Sequence, residues 1–213
     1  MRIAILGGTF DPIHNGHLAS AQTVADIFQV SEVHFVPAFS PPHKQAREIT
    51  SPFHRFAMVA LATLPFNGFR TSTIEVDALG KRYTVETLEQ MGRQYAGASL
   101  LFIVGTDMYQ EIGTWKDYRH LFDLAHLVVV NRPGFPFRED IAPFRILEER
   151  QPVTLPEGPS ASNAVFYLPF VQQPISSTEI REDLKRGGEV RQWIPSQVWS
   201  YIEKNKLYGE KQN

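Results

Sequence analysis

The sequence of 213 residues predicts an α/β fold with a doubly wound parallel sheet that is covered by helices on both faces. Three observations lead to this prediction. Short apolar segments of strand length recur along the chain. Segments with apolar residues at helical spacing separate them, which favours parallel strands buried on both faces. Polar turns follow Leu6, Val36 and Val104, and ligands bind at this end of the strands in such a sheet. The predicted arrangement is Rossmann-like, with five or six strands.

The predicted strands are short and mostly apolar. The first, Ile3–Leu6, ends at a pair of glycines, and Leu100–Val104 is the most apolar of the set. The other segments with strand character are Val33–Val36, Arg70–Val76, Leu127–Val130 and Val165–Leu168. We assign no firm structure to residues 135–163, because five of the fifteen prolines lie there and the periodicity is weak.

Helical spacing of apolar residues predicts the connecting segments. One helix begins at Asn15 and ends near Phe28, and another begins at Ser51 and Pro52, a favourable cap followed by a favourable first residue. This second helix extends to Leu64. The remaining predicted helices are Thr84–Tyr95, Lys116–Leu124, Ser176–Arg186 and Ser196–Lys204. We expect a single domain over residues 1–213, in which residues 175–213 form a small C-terminal helical extension.

Composition narrows the classes of function. The chain has 23 acidic and 21 basic residues and no cysteine. The absence of cysteine excludes a disulfide scaffold, a thiolate zinc site and a thiol nucleophile. The near-neutral charge gives no general attraction to nucleic acid or an anionic membrane. No signal peptide is visible, and no segment approaches the ~20 apolar residues of a membrane span. We expect a cytoplasmic protein that binds neither nucleic acid nor membrane; a homo-oligomer is possible.

The turn after the first predicted strand is the most informative segment. It reads Gly7-Gly8-Thr9-Phe10-Asp11-Pro12-Ile13-His14-Asn15-Gly16-His17. Backbone N–H groups at such a strand-to-helix junction favour anions, and glycines let a phosphate approach closely. His14 and His17 are three residues apart, so both rings can donate hydrogen bonds to phosphate oxygens from one side. The alternatives are capping or surface histidines, or a metal pair, which the spacing does not favour. The dinucleotide pattern G-x-G-x-x-G fails at Thr9, and no P-loop lysine follows.

A second polar motif opens the penultimate predicted helix. It reads Ile175-Ser176-Ser177-Thr178-Glu179-Ile180-Arg181. Ser176 and Glu179 have the spacing of a capping box. The additional hydroxyl groups and Arg181 exceed what a cap needs, and they favour phosphate binding at the N-terminus of this helix.

These two motifs resemble the signatures of the nucleotidyltransferase superfamily of small-molecule adenylyltransferases, and in particular the bacterial nicotinate mononucleotide adenylyltransferases. The resemblance covers motifs at both ends of the chain, without departure at their key positions. It implies transfer of AMP from ATP to nicotinate mononucleotide, which gives nicotinate adenine dinucleotide and pyrophosphate in NAD biosynthesis. It also implies that Mg²⁺ acts with ATP and is held mainly by the triphosphate, so that no protein metal ligand is expected.

The resemblance extends to individual site residues. It implies catalytic roles for His14, His17, Lys44 and Arg181. The residues expected to bind ATP are Gly7, Gly8, Thr9, Phe10, His14, Gly16, His17, Gly105, Asp107, Ile175, Ser176, Ser177, Thr178 and Arg181. The residues expected to bind the mononucleotide are Lys44, Tyr83, Thr84, Asp107, Trp115 and Arg132.

Several of these residues have alternative interpretations. Lys44, in a basic loop after the second strand, can neutralise substrate charge or be a solvated lysine. Asp107 follows the most apolar strand and can accept hydrogen bonds from ribose hydroxyls or cap the next helix. Trp115 can stack on the pyridine ring or belong to the core. Arg82 stands where many family members have Ser, which leaves the preference between acid and amide open.

Three other functions remain as alternatives. The first is an adenylyltransferase that acts on another phosphorylated acceptor, such as phosphopantetheine. The second is a nucleotide-binding regulator without catalysis. The third is an oxidoreductase, which would require the glycine pattern that is missing here.

Overall fold

A computed structural model describes residues 1–40, 49–78, 80–155, 163–171 and 175–209. Lys44 and the rest of the predicted basic loop lie outside the described residues. The strands are β1 (Arg2–Gly8), β2 (Glu32–Pro37), β3 (Phe69–Thr71), β4 (Ser99–Gly105), β5 (His126–Val130), β6 (Phe144–Ile146) and β7 (Val165–Leu168). The helices are α1 (Asn15–Phe28), α2 (Pro52–Thr63), α3 (Thr84–Gln94), α4 (Thr106–Gln110), α5 (Tyr118–Leu124), α6 (Ser177–Lys185) and α7 (Ser196–Lys204).

The strands form one parallel sheet in the order β3-β2-β1-β4-β5-β7-β6. The chain proceeds outward from β1 to β3 and then returns to place β4 on the other side of β1. The strand order therefore reverses between β1 and β4, and ligands bind outside the carboxyl ends of strands at such a point. Leu6 pairs with Ile103, so the turns that follow these two strands are neighbours. The predicted fold class is confirmed.

The two faces of the sheet are covered by different helices. On β1, Ala4 and Leu6 face an apolar cluster that includes residues of α1, α2, α6 and α7. Ile3 and Ile5 face a second cluster, which contains Leu88 of α3 together with residues of α5. Burial on both faces explains why the central strands read as continuous apolar segments rather than as alternating ones.

Two predictions about the sheet are wrong. In the described part of the chain the sheet has seven strands rather than five or six, because Phe144–Ile146 adds an edge strand inside residues 135–163, for which the sequence predicts no firm structure. Arg145 and Ile146 are exposed, so this strand carries no apolar pattern. The segment predicted as the strand Arg70–Val76 is a strand only as far as Thr71. Ile74 and Val76 lie in a turn but are buried, so their alternation in the sequence resembles that of a strand.

The helices agree with the predictions apart from their ends and one omission. Helix α4 was not predicted because five residues are too few to show a helical period. Helix α5 begins at Tyr118 rather than Lys116, after a 3₁₀ turn at Ile112–Thr114. In the parts of the chain that the structure describes, no helix has the length and apolar character needed to cross a membrane.

Candidate active site

The glycine turn connects β1 to α1 at the point where the strand order reverses. A Cβ at Gly8 would lie 3.0 Å from the ring of Phe10, closer than an ordinary contact, so a side chain there would require the ring to shift. Phe10 has a φ of 51°, a left-handed conformation that is unfavourable for a bulky residue. Its buried ring packs against Phe35 and the edge of His17, and this packing holds the backbone in that conformation.

His14 and His17 lie together at the start of α1. Their ring centroids are 3.7 Å apart, and Gly16 between them is buried in the first turn of the helix. The backbone N–H of His14 donates to Nδ1 of His17 over 3.3 Å. Because Nδ1 accepts, a neutral His17 carries its proton on Nε2, which is then available as a donor. Both ring nitrogens of the buried His14 are without a hydrogen-bond partner among the described residues.

The two imidazoles are neutral at ordinary pH. Burial, and next the charge of Arg132, lower the pKa of His14 to about 3. Burial and then His14 and Arg132 lower the pKa of His17 well below its usual value. The pair can therefore donate one N–H each to a phosphate oxygen, but it supplies no positive charge in the free protein. Charge must come from arginine or lysine side chains.

These depressed pKa values predict a stability that falls on acidification. The unfolded chain takes up a proton at His14 near pH 6.5, whereas the folded chain does so only near pH 3. The contribution of His14 to the free energy of unfolding is fully present above pH 6.5 and is lost as the pH falls toward 3. For His14 alone the slope between roughly pH 6 and 4 is about 1.4 kcal/mol per pH unit. In urea unfolding at pH 7, 6 and 5, His14→Gln should lose this part of the slope.

The exposed His120 provides the control for that experiment. Its ring lies beside Glu89 and Asp123 at the surface. The same urea series with His120→Gln gives the effect of a histidine-to-glutamine change at the surface, against which the effect of His14→Gln is compared. If the free energy of unfolding depends on pH in the same way in the wild type and in His14→Gln, His14 is not kept neutral by burial.

The second motif forms the N-terminus of α6 and contacts the glycine turn. Ser176 Oγ accepts from the N–H of Glu179 over 3.1 Å, and the Glu179 carboxylate accepts from the N–H of Ser176 over 2.7 Å, which confirms the capping box. Ser177 Oγ donates to the carbonyl oxygen of Pro12 over 2.9 Å. The two motifs are thus brought together although they are 165 residues apart in sequence.

Arg181 makes the second contact between the motifs. Its Nη1 donates to the carbonyl oxygen of Asp11 over 2.6 Å and to that of Ser177 over 3.1 Å, while Nη2 donates to Oγ1 of the exposed Thr178 over 3.4 Å. Ile175, just before the cap, is half-buried against the apolar cluster of this face. One guanidinium group therefore fixes α6 to the turn that precedes the histidines.

A third cluster follows β4, next to the glycine turn. Gly105 is the N-cap of α4 and Asp107 lies in the first turn, so the alternative in which Asp107 caps this helix is wrong. Arg132 Nη1 lies 3.4 Å from one Asp107 oxygen, and the other oxygen is buried without a partner among the described residues. The backbone N–H of Arg132 donates to Thr106 Oγ1 over 2.9 Å. Arg132 also lowers the pKa of both histidines, so it joins this cluster to them.

Tyr83 and Trp115 lie on the α3 face of the sheet. Both rings are partly buried against the same apolar cluster, and Trp115 packs edge-on to Phe102 with 6.2 Å between the ring centroids. A side chain at Gly7 would lie 3.8 Å from the Phe102 ring, so Phe102 separates the glycine turn from Trp115. Thr84 is the first residue of α3.

Positive charge surrounds Tyr83, a feature that the sequence did not indicate. The ammonium groups of Lys81 and Lys116 lie 4.9 and 4.7 Å from the centre of its ring. Lys116 also contacts Glu86 over 2.6 Å, and the other Glu86 oxygen accepts from the N–H of Tyr83 over 3.1 Å. Arg82, the departure from the family pattern, donates to the carbonyl oxygen of Ile74 over 3.3 Å.

Among the residues described, no group of three or more His, Cys, Asp or Glu side chains is placed to hold a metal ion. Among the described residues, the cationic groups beside the turn include Arg132, Arg181 and Arg55, which donates to the carbonyl oxygen of Thr9 in the turn, and the role of Lys44 stays a prediction. The site therefore offers neutral N–H donors, backbone N–H groups and arginine charge, which is the chemistry that binds and orients a polyphosphate.

Comparisons with known proteins agree with this chemistry. A model of the family described as cytidylyltransferase-like matches residues 5–183. A probable nicotinate-nucleotide adenylyltransferase of Desulfitobacterium hafniense (strain Y51) is 39% identical over 210 residues, which cover 97% of this chain and 95% of the relative. A protein of the same description from Thermoanaerobacter sp. (strain X514) is 38% identical, covering 98% and 94%. A nicotinic acid mononucleotide adenylyltransferase of Plasmodium falciparum complexed with NaAD has the same fold, with a TM-score of 0.73 at 19% identity over 97% of each chain.

A family match over residues 5–183 and a glycine turn with two histidines at the switch point together define a nucleotidyltransferase of the cytidylyltransferase-like class. The relatives narrow this class, because they are 38–39% identical over almost their full length. The chain belongs to the nicotinate-nucleotide adenylyltransferase family. The family resemblance predicted from the two motifs is confirmed.

Proposed function

We propose that this protein transfers AMP from ATP to nicotinate mononucleotide, producing nicotinate adenine dinucleotide and pyrophosphate in NAD biosynthesis. The observation that carries the proposal is the pair of neutral, partly unpartnered imidazoles at the switch point, which follow a glycine turn that contacts the N-terminus of α6. The names of the relatives support the pyridine substrate, and the Plasmodium falciparum enzyme is described in complex with NaAD.

The reaction needs positioning more than it needs a base. The phosphate monoester of the mononucleotide, with a second pKa of about 6, is already an anionic nucleophile at neutral pH. Its oxygen forms a bond to the α-phosphorus of ATP while the bond from that phosphorus to the β-phosphate oxygen breaks. The electron pair leaves with pyrophosphate. Catalysis then consists of aligning the two substrates and stabilising charge on the phosphoryl oxygens.

Different residues of the site bind the triphosphate, donate hydrogen bonds to it and supply positive charge. The glycine turn and the N-terminus of α6 bind the triphosphate, and His14 and His17 donate to its oxygens. Arg181, Arg132 and the predicted Lys44 supply positive charge, and Mg²⁺ arrives on the triphosphate as part of the substrate. Asp107 accepts from a ribose hydroxyl through the oxygen that has no partner among the described residues.

The nicotinate end of the acceptor binds on the α3 face. We assign its carboxylate to the main chain of Tyr83 and Thr84, and its ring to Trp115. Lys81, which lies beside the Tyr83 ring, makes this region attractive to a carboxylate rather than to a neutral amide, whereas the charge of Lys116 is offset by Glu86. A cytoplasmic location and a homo-oligomer stay predictions.

Trp115→Ala should weaken the binding of the acceptor without affecting the binding of ATP. Base–aromatic stacking is worth about 1–3 kcal/mol, so we expect the KM for nicotinate mononucleotide to rise by roughly 5- to 150-fold. The KM for ATP should change by less than about threefold, because ATP does not contact this ring. Trp199→Ala, which removes a half-buried indole from the opposite face, should leave both KM values unchanged. Equal increases in both KM values would contradict the assignment of Trp115.

A panel of acceptors tests the function itself. Pyrophosphate release from ATP and Mg²⁺ is measured with nicotinate mononucleotide, with its amide analogue and with phosphopantetheine. We expect release with nicotinate mononucleotide at a kcat/KM at least about tenfold above that for the amide, which corresponds to about 1.4 kcal/mol. The highest rate with phosphopantetheine would assign a different adenylyltransferase. No pyrophosphate with any acceptor would favour a regulator.

A further inference from the structure

We propose that Arg55 is a positioning residue for the transfer reaction, which fixes the glycine turn to both ends of the segment that contains Lys44. The inference rests on the proposed function, since it concerns the placement of the ATP phosphates.

Each of the three guanidinium nitrogens of Arg55 donates to a different part of the chain. Nη1 donates to the carbonyl oxygen of Thr9 in the glycine turn over 2.7 Å. Nη2 donates to that of Phe39 over 3.0 Å, and Nε donates to that of Thr50 over 2.9 Å. Phe39 and Thr50 stand on either side of residues 41–48. The residue is completely buried, so these bonds are shielded from water.

The carboxylate of Asp11 completes the same junction. It is 2% exposed, and its Oδ2 accepts from the N–H of Thr50 over 3.3 Å. Its Oδ1 accepts from the hydroxyl of Tyr208 over 2.6 Å. Thr50 is thus held through its carbonyl by Arg55 and through its N–H by Asp11, which lies two residues beyond Thr9.

The hydrogen bonds of Arg55 hold the loops of the active site rather than the apolar core. Helix α2 is held in the apolar cluster by Met58, Val59 and Ala62, which are all buried. Among the described residues, the side-chain hydrogen bonds of Arg55 all go to loop carbonyls at the carboxyl end of the sheet. A lysine cannot replace them, because its ammonium group lacks the planar, three-directional fork of donors. Loss of the fork frees the turn to shift, and a displacement of about 1 Å costs on the order of 100-fold in rate.

The test uses Arg55→Lys, Arg55→Ala and the wild type. We measure kcat, both KM values, the melting temperature, and the amide hydrogen exchange of peptides that cover residues 9–11 and 49–51. For Arg55→Lys we expect kcat to fall by roughly 10- to 100-fold, with the KM for nicotinate mononucleotide nearly unchanged and exchange faster in these two peptides than in β1 and β4. Methylguanidinium added to Arg55→Ala should restore part of kcat.

Val59→Ala is the matched control, since it removes buried apolar contacts from the same helix without affecting the loop carbonyls. It should lower the melting temperature with kcat unchanged. An unchanged kcat in Arg55→Lys, or a loss of activity that follows only the unfolded fraction, would overturn the proposal. If the wild type transfers AMP to no mononucleotide, the proposed function fails; exchange in the two peptides and the affinity for ATP then still decide whether Arg55 holds the turn.

Discussion

We expect His17→Ala to lower kcat by about 1,000-fold while the protein stays folded. In the native site the Nε2–H of this neutral imidazole is the one donor of its ring that is free to reach a phosphoryl oxygen, since Nδ1 accepts from the backbone of His14. Removing a single donor to developing charge in a preorganised site costs about 10²–10³ in kcat. The alanine also leaves the His14 N–H without its acceptor, which disturbs the start of α1.

A second variant separates these two effects. His17→Asn keeps a side-chain oxygen near the position of Nδ1 for the His14 N–H, but it has no distal donor. We expect a loss of at least 100-fold in kcat, with a melting temperature closer to that of the wild type than the alanine variant shows. His120→Ala, at the surface, should retain full activity. A near-normal rate in either His17 variant would show that this histidine takes no part in the reaction.

Arg181→Met should lower kcat/KM for ATP by about 100-fold. The substitution keeps most of the length of the side chain but removes its charge and its bonds to Asp11 and Ser177. The triphosphate loses an arginine at the same time as α6 loses its attachment to the glycine turn, and hydrogen bonds to charged groups are about twice as strong as neutral ones. Arg181→Lys should recover part of the loss, since it restores charge without the fork.

Arg186 offers the matched control on the same helix. It lies at the end of α6, and its exposed side chain lies near Glu182 and Asp183. Ion pairs of this kind contribute little, so Arg186→Met should leave kcat/KM for ATP within about twofold of the wild-type value. Equal losses in the two variants would indicate a general effect of positive charge on ATP binding rather than a defined role for Arg181.

Sequence spacing predicted the parts of this site that depend on neighbours along the chain. The pairing of His14 and His17 follows from a separation of three residues, and the capping box of Ser176 and Glu179 follows in the same way. The parallel sheet follows from alternating apolar and helical segments. The short edge strand Phe144–Ile146 could not be predicted, because it is defined by main-chain pairing with one neighbour and not by buried side chains.

Features that depend on distant contacts were not predictable in the same way. The partners of Arg55 are carbonyl oxygens, which every residue has, so their identity leaves no trace in the sequence. Tyr208 and Asp11 are 197 residues apart, and only the fold shows that they meet. The neutrality of His14 and His17 also depends on tertiary structure, because it results from their burial and from the nearby charge of Arg132.

The central claim is that the phosphate of nicotinate mononucleotide itself attacks the α-phosphorus of ATP in this site. The most direct test is a single turnover with mononucleotide whose terminal phosphate oxygens are all ¹⁸O, followed by mass spectrometry of both products. We predict that nicotinate adenine dinucleotide keeps all of the label and that pyrophosphate carries none, since the attacking oxygen becomes the bridge. Label in pyrophosphate, or pyrophosphate formed without labelled dinucleotide, would contradict the claim.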